Sequence, residues 1–178
     1  NEMNWSIKSL VREMVTSSTY KQSSGLNNNQ VDKDPENRYW ARGPRFRLSA
    51  EQIRDQALAV SGLLSSKMYG PGVMPHQPEG VWMTVYSGEA WTKSTGEDQY
   101  RRGIYTFLKR TSPYPSFISF DASSREVCLV DRIRTNTPLQ ALTTLNDPVY
   151  LEAAKALADQ MEKDAKGNIR QLVSSGYR

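Results

Sequence analysis

Two guanidinium groups and a side-chain amide, Arg132, Arg134 and Asn136, stand immediately ahead of a helix start, and Gln140 follows inside its first turn. Residues of these types at such a place suit a carboxylate, a phosphate or a sulfate. Free backbone N–H groups and the helix dipole favour anions there, and arginine grips a planar or tetrahedral anion in a bidentate way that lysine cannot reproduce. Arg110 and Asp121 are candidate neighbours. Two partners fit this polar set: an acidic ligand such as a sulfated or uronic glycan, or an internal Asp or Glu. They separate under mutation. Breaking a buried internal pair by Arg134→Ala is expected to cost about 3–5 kcal/mol, whereas losing a solvent-facing ligand contact leaves melting nearly unchanged.

A second group is aromatic. Trp82, Tyr86 and Trp91 fall within ten residues among Gly, Ser and Thr. Such a cluster forms a stacking platform for sugar rings, or it pins an irregular segment to the core. Carboxylates that glycoside hydrolysis would need are available at Glu89, Glu97, Asp98 and Asp121, but the reaction depends on a separation that sequence does not show. Glu51, Arg54 and Asp55 also cluster, and Arg–carboxylate pairing on or between helices is their expected use. His76 is the sole histidine and has no metal-type ligand beside it, so it reads as an exposed or loop-packing side chain. Cys128 stands alone amid Val127, Leu129 and Val130 and reads as a small buried hydrophobe. No Ser-His-Asp set, metal cluster or phosphate loop is written in the chain, and no residue is assigned a catalytic role.

The elements that must position these groups are mostly helices. Thr137, Pro138 and Gln140 spell a capping box with proline at the first helical position. Asp147–Pro148 repeats the cap-plus-proline device ten residues on. A corner at 146–147 therefore separates a short helix near 138–145 from a longer one near 148–164. Tyr150, Ala153, Ala154, Leu157, Ala158 and Met161 give the longer helix an apolar face. Ser49 and Gln52 make another capping box, opening a helix near 50–65 with Ile53, Ala57, Val60 and Leu64 on one face, widened by Leu58 and Leu63. A first helix near 5–17 carries Ile7, Leu10, Val11, Met14 and Val15, and a last one begins near 168–173.

Between them, residues 22–33 are polar enough for a mobile loop or linker, and Asp34–Pro35 suggests a short helix through Tyr39 and Trp40. Ile104–Leu108 and Glu126–Val130 read as two strands able to pair, with a proline-guided turn and a single helical turn at 115–120 between them. The expected fold is mainly α, loosely α+β: a helical domain with a small β-hairpin-like element.

The 178 residues suit one domain. Net charge is +4 and the pI about 9.2, with both signs interspersed, which does not argue for nucleic acid. No run of 18 apolar residues is present, so no membrane span is expected. The start at Asn1 and a stop inside a helix are read as marks of a piece excised from a longer multidomain chain.

The runs RTNTPLQALTTLNDPVYLEAA, FDASSREVC, RRGIYTFLKRTSPYPSF, RFRLSAEQIRDQALAVSGLL and WSIKSLVREMVTSSTYKQSS together cover nearly the whole chain. They resemble the planctomycete-type secreted domain of unknown function found beside cytochrome c-like domains in Planctomycetes, Verrucomicrobia and Bacteroidetes. The resemblance implies an extracytoplasmic or periplasmic location and companion domains, a cytochrome c-like one included, but no reaction. One cysteine and no C-x-x-C-H motif mean that no haem is expected on these residues, so any haem belongs to a companion domain. The expected role is a structural or interaction module without activity of its own. The alternative is a glycan-binding or glycan-degrading domain.

Overall fold

The computed structural model describes residues 5–25, 28–80, 90–165 and 167–176. Seven α-helices are found among them: α1 (Ile7–Thr16), α2 (Asn28–Lys33), α3 (Ala50–Val60), α4 (Pro115–Ser119), α5 (Pro138–Asn146), α6 (Pro148–Ala165) and α7 (Ile169–Gly176). Short 3-10 turns lie at Gly96–Tyr100 and Gly103–Tyr105. The fold is mainly α. The chain divides into two compact units, residues 1–47 and 48–178.

In the smaller unit, α1 is capped by Ser6, whose hydroxyl accepts the Ser9 N–H. The expected helix at Asp34–Trp40 is absent; helix α2 precedes it instead, within the segment read as a linker. Its place is taken by a turn that the Asp34 carboxylate holds by accepting the N–H groups of Arg38 and Tyr39 at 2.8 and 2.9 Å. A carboxylate that accepts from backbone donors four and five residues ahead closes a loop rather than starting a helix.

In the larger unit the capping chemistry works as written. Ser49 Oγ accepts the Gln52 N–H and Gln52 Oε1 accepts the Ser49 N–H, completing the box that starts α3. The helix ends at Val60, earlier than the apolar spacing suggests. Gly62 adopts a left-handed φ of 70°, and the Leu63 and Gly62 N–H groups return to the carbonyls of Leu58 and Ala59. This is a Schellman stop, for which glycine is the favoured residue. Leu58 is fully buried, while Val60 faces outward. Asp147 Oδ1 accepts the Val149 N–H at 2.9 Å, so the corner before α6 is capped as its sequence implies.

Helix α3 packs on α4 and α6, α5 packs on α4 and α6, and α7 packs on α6. The core between them is aromatic: Tyr114, Phe117, Phe120 and Tyr150, with Ala50 and the partly buried Ile53, Ala57, Trp91 and Ala122. Of the expected α6 face, Tyr150 and Ala153 are buried, whereas Ala154 and Ala158 are exposed.

The expected β element is corrected. Residues 103–105 form a 3-10 turn, and pairing is limited, among the described residues, to isolated bridges, Val73 with Thr106 and Lys109 with Ser112. Residues 126–130 make no strand, and Val127, Leu129 and Val130 are exposed. Cys128 is exposed too, against the reading that buried it. β-branched residues favour a strand only where a neighbouring strand and a covered face exist, and neither is present here.

Arg54 of α3 is 2% exposed and donates from Nη2 to the Gln99 carbonyl at 2.7 Å. Burial holds the nearby Asp147 carboxyl above its ordinary range, although the Val149 N–H and the charges of Arg54 and His76 pull the other way. The fold therefore binds the Asp147 proton more tightly than the unfolded chain does. That contribution to stability is full below the unfolded value of about 4 and is lost as pH rises through the folded value. Glu51, held low, has the opposite sign: its contribution is present above the unfolded value and fades as pH falls through the folded one. Asp147→Asn keeps a capping side chain and removes the charge. Its melting temperature at pH 7 is expected to equal or exceed that of the parent, with a flatter dependence between pH 4 and 7. A clear drop at pH 7 would show that the charge itself stabilises the corner.

Candidate functional site

Of the polar groups singled out in sequence, Arg132, Arg134 and Asp121, but not Gln140, lie on a cleft of about 710 Å³ in the larger unit. Its walls come from the first turns of α3, from the 3-10 turn at 103–105, from the segment after α4, and from the loop that leads to α5. Arg132, Arg134 and Asp121 line it, together with Glu51, Asp55, Arg102 and Arg125. Arg110 is exposed, and neither it nor Asn136 is among the lining residues.

Carboxylates and guanidinium groups in the cleft are engaged with one another. Arg132 Nη1 donates to both oxygens of Glu51, at 3.0 and 2.8 Å. Burial alone would raise the Glu51 carboxyl, but the Arg132 hydrogen bond, the Glu51 and Ser49 donors and the Arg132 charge outweigh it and hold the group low. Asp55 accepts from Arg102 Nε at 3.2 Å and from the Gly103 N–H at 2.5 Å. These two pairs fasten the 102–103 turn and the loop ahead of α5 to the start of α3. Gly103 suits the first. A Cβ there would lie 3.0 Å from Glu51 Cα, a tight contact that would push the α3 backbone by a few tenths of an ångström.

Asp121 organises the other wall. It follows α4 at the left-handed position of a Schellman stop: φ is 59°, the Asp121 N–H returns to Ile118 and the Ala122 N–H to Phe117. Glycine is the usual residue there. The carboxylate earns the position through Oδ2, which accepts the Thr135 N–H at 2.8 Å, the Thr135 hydroxyl at 2.7 Å and Gln140 Nε2 at 3.2 Å. Gln140, 1% exposed, also turns its Oε1 to the Thr137 N–H at 3.2 Å, supplying the return arm of the box that starts α5. The loop 131–137 is thus tied at one end to α3 through Arg132 and at the other to α4 through Asp121.

Arg132 makes an ion pair with Glu51 of helix α3, and the Arg134 side chain is exposed at the cleft. Sequence reasoning named both arginines, and Glu51 and Asp55 as pairing carboxylates, without joining them. The Arg132–Glu51 partners lie 81 residues apart, and no local spacing signals such a contact.

Of the aromatic cluster, Trp82 and Tyr86 lie outside the described residues, as does Glu89. Trp91 is half-buried. Its ring stacks on Tyr114 at 5.6 Å and 11°, meets Phe107 edge-on, and its Nε1 donates to the Pro75 carbonyl at 2.8 Å. Trp91 therefore pins its segment to the core. The remaining sequence-named carboxylates are also occupied: Glu97 accepts from Ser65 Oγ at 2.5 Å and Asp98 from Lys67 Nζ at 2.7 Å. His76 packs in its loop, its carbonyl accepting the Tyr114 hydroxyl at 2.9 Å. Among the described residues no group of three or more His, Cys, Asp or Glu side chains is placed to hold a metal ion, and no helix is long and apolar enough to cross a membrane.

Neither a curated protein nor a solved structure matches the chain. A family model does match over residues 1–178, and the chain accordingly belongs to the PSD1 family, described as a protein of unknown function (DUF1553).

Proposed function

We propose that this chain is a structural and interaction module of a larger extracytoplasmic protein, and that its partner is a companion domain of that protein, the cytochrome c-like one in the first place. The observation that carries the reading is the exposure of large apolar side chains between residues 127 and 145. Val127, Val130 and Ile133 are exposed, and on α5 Leu139, Leu142 and Leu145 are 60%, 54% and 67% exposed. The only buried residue of α5 is the polar Gln140. A helix that turns its leucines outward and its glutamine inward is arranged to meet another surface. The cleft beside it supports the same reading, because Glu51, Asp55 and Asp121 are engaged by the chain's own donors, Glu51 and Asp121 holding the α5 loop and Asp55 the 102–103 turn.

The test supplies the companion domain in trans and measures association by isothermal titration. Binding is expected for the parent chain and at least a tenfold loss for Leu142→Asp, whose melting temperature should be unchanged because the position faces solvent. Equal binding by Leu142→Asp, or no binding by the parent chain, would overturn the proposal.

A further inference from the structure

The smaller unit contains a separate groove of about 1110 Å³, built from the end of α1, the segment after it and the loop 35–46. Tyr20, Trp40 and Phe46 line it and are 67%, 68% and 61% exposed. Two aromatic side chains as exposed as Tyr20 and Trp40 on one groove are unusual in a unit this small, where burying them would be the main source of stability.

The groove is also held open by its own backbone. Trp40 has a left-handed φ of 55°, a costly conformation for a bulky residue. The surrounding loop is fixed by directed bonds: Asn37 donates to the Arg42 carbonyl at 2.8 Å and accepts the Arg42 N–H at 3.2 Å. The Arg42 guanidinium donates to the carbonyls of Asp34 and Pro35 at 2.9 and 2.7 Å. Gly43 donates to the Ser23 carbonyl at 3.0 Å, and a Cβ on it would lie 2.6 Å from the Gln22 carbonyl oxygen, so only glycine lets the loop approach this segment.

The chemistry of the lining selects an occupant. The stretch from Arg38 to Arg47 carries four arginines and no carboxylate. Arg38 is paired with Glu36, which also lines the groove, and Arg42 faces the Asp34 carboxylate; among the described residues Arg45, on the groove, forms no ion pair. Gln22 Oε1, on the same wall, is a buried acceptor with no hydrogen-bond donor. Exposed aromatic faces, uncompensated guanidinium charge and an acceptor lacking a donor are together complementary to a ring with an apolar face, an anionic substituent and hydroxyl groups.

We propose that this groove binds an acidic saccharide chain, with sugar faces on Trp40 and Tyr20, a carboxylate or sulfate on Arg45, and a hydroxyl donating to Gln22. Single-stranded DNA also offers ring faces and negative charge, but its backbone carries no hydroxyl donors along the chain to meet Gln22. The proposal is independent of the partner assigned to α5, since the two surfaces share no residue.

Isothermal titration of the whole chain with hexagalacturonate and with a chondroitin sulfate hexasaccharide tests it, with cellohexaose and a twelve-residue oligothymidylate as controls. At least one acidic sugar is expected to bind; binding of hexagalacturonate shows that a carboxylate suffices, whereas chondroitin sulfate offers both a carboxylate and a sulfate. Cellohexaose should bind at least tenfold more weakly. Trp40→Ala and Arg45→Gln should each weaken binding at least tenfold with unchanged circular dichroism, and Tyr20→Ala serves if Trp40→Ala does not fold. Failure of both acidic sugars to bind, tighter binding of the oligothymidylate, or full affinity in the variants would overturn the assignment.

Discussion

Tyr114→Ala is expected to destabilise the larger unit by about 3–5 kcal/mol, the range for removing a buried aromatic ring. Tyr114 is 2% exposed and touches three neighbours that hold different parts of the chain. It stacks on Trp91, meets Phe117 edge-on at 5.3 Å, and donates its hydroxyl to the His76 carbonyl. Removing the ring therefore leaves a cavity and frees the segments around His76 and Trp91 together. Tyr114→Phe keeps the ring and loses only the hydroxyl bond, which sets its cost at about 1 kcal/mol. A urea titration followed by circular dichroism measures both. A loss below 1 kcal/mol for Tyr114→Ala would mean that the aromatic core does not organise this unit.

Asp121→Ala should cost about 3 kcal/mol, because it strips acceptors from three donors at once, and an unsatisfied buried polar group costs roughly 1–3 kcal/mol. The Gln140 side chain is buried and keeps only the Thr135 hydroxyl, at 3.1 Å, as an acceptor for its Nε2. Asp121→Asn retains an acceptor oxygen and a residue type that tolerates the left-handed backbone, so it should lose about half as much. Asp121→Gly relieves the backbone but not the side-chain loss, and it should lie between them. If all three variants melt with the parent, the carboxylate is not the tie between α4 and the α5 loop.

What could be read in the sequence was local. Capping boxes at Ser49–Gln52 and Thr137–Gln140, the Asp147 cap and the helical turn at Pro115 depend on residues within four positions of one another, and each helix begins where its cap stands. The end of α3 was equally local, though the apolar spacing through Leu64 masked the stop at Gly62. The strands at 104–108 and 126–130 were expected from side-chain types alone, and these say nothing about whether a partner strand exists. Cys128 followed the same error, because its apolar neighbours turn outward.

The candidate site was legible as a set of residues and illegible as a set of contacts. Arg132, Arg134, Asp121 and Gln140 were visible as polar groups around a helix start. Nothing local shows that Glu51 takes Arg132 or that Asp121 takes Thr135 and Gln140, since those pairs form only after α3, α4 and α5 have packed. Asp121 itself carries no sequence signal for a left-handed backbone. Its position becomes intelligible only beside the two hydrogen bonds that stop α4.

Hydrogen exchange on the chain, alone and within the full-length parent protein, tests the module assignment most directly. Amides of α5 and of residues 127–135 should be measurably more protected within the parent, since the proposed companion domain would cover the leucine face there. Identical exchange in the two settings would contradict it, and would leave the exposed leucines without a partner in the protein that carries them.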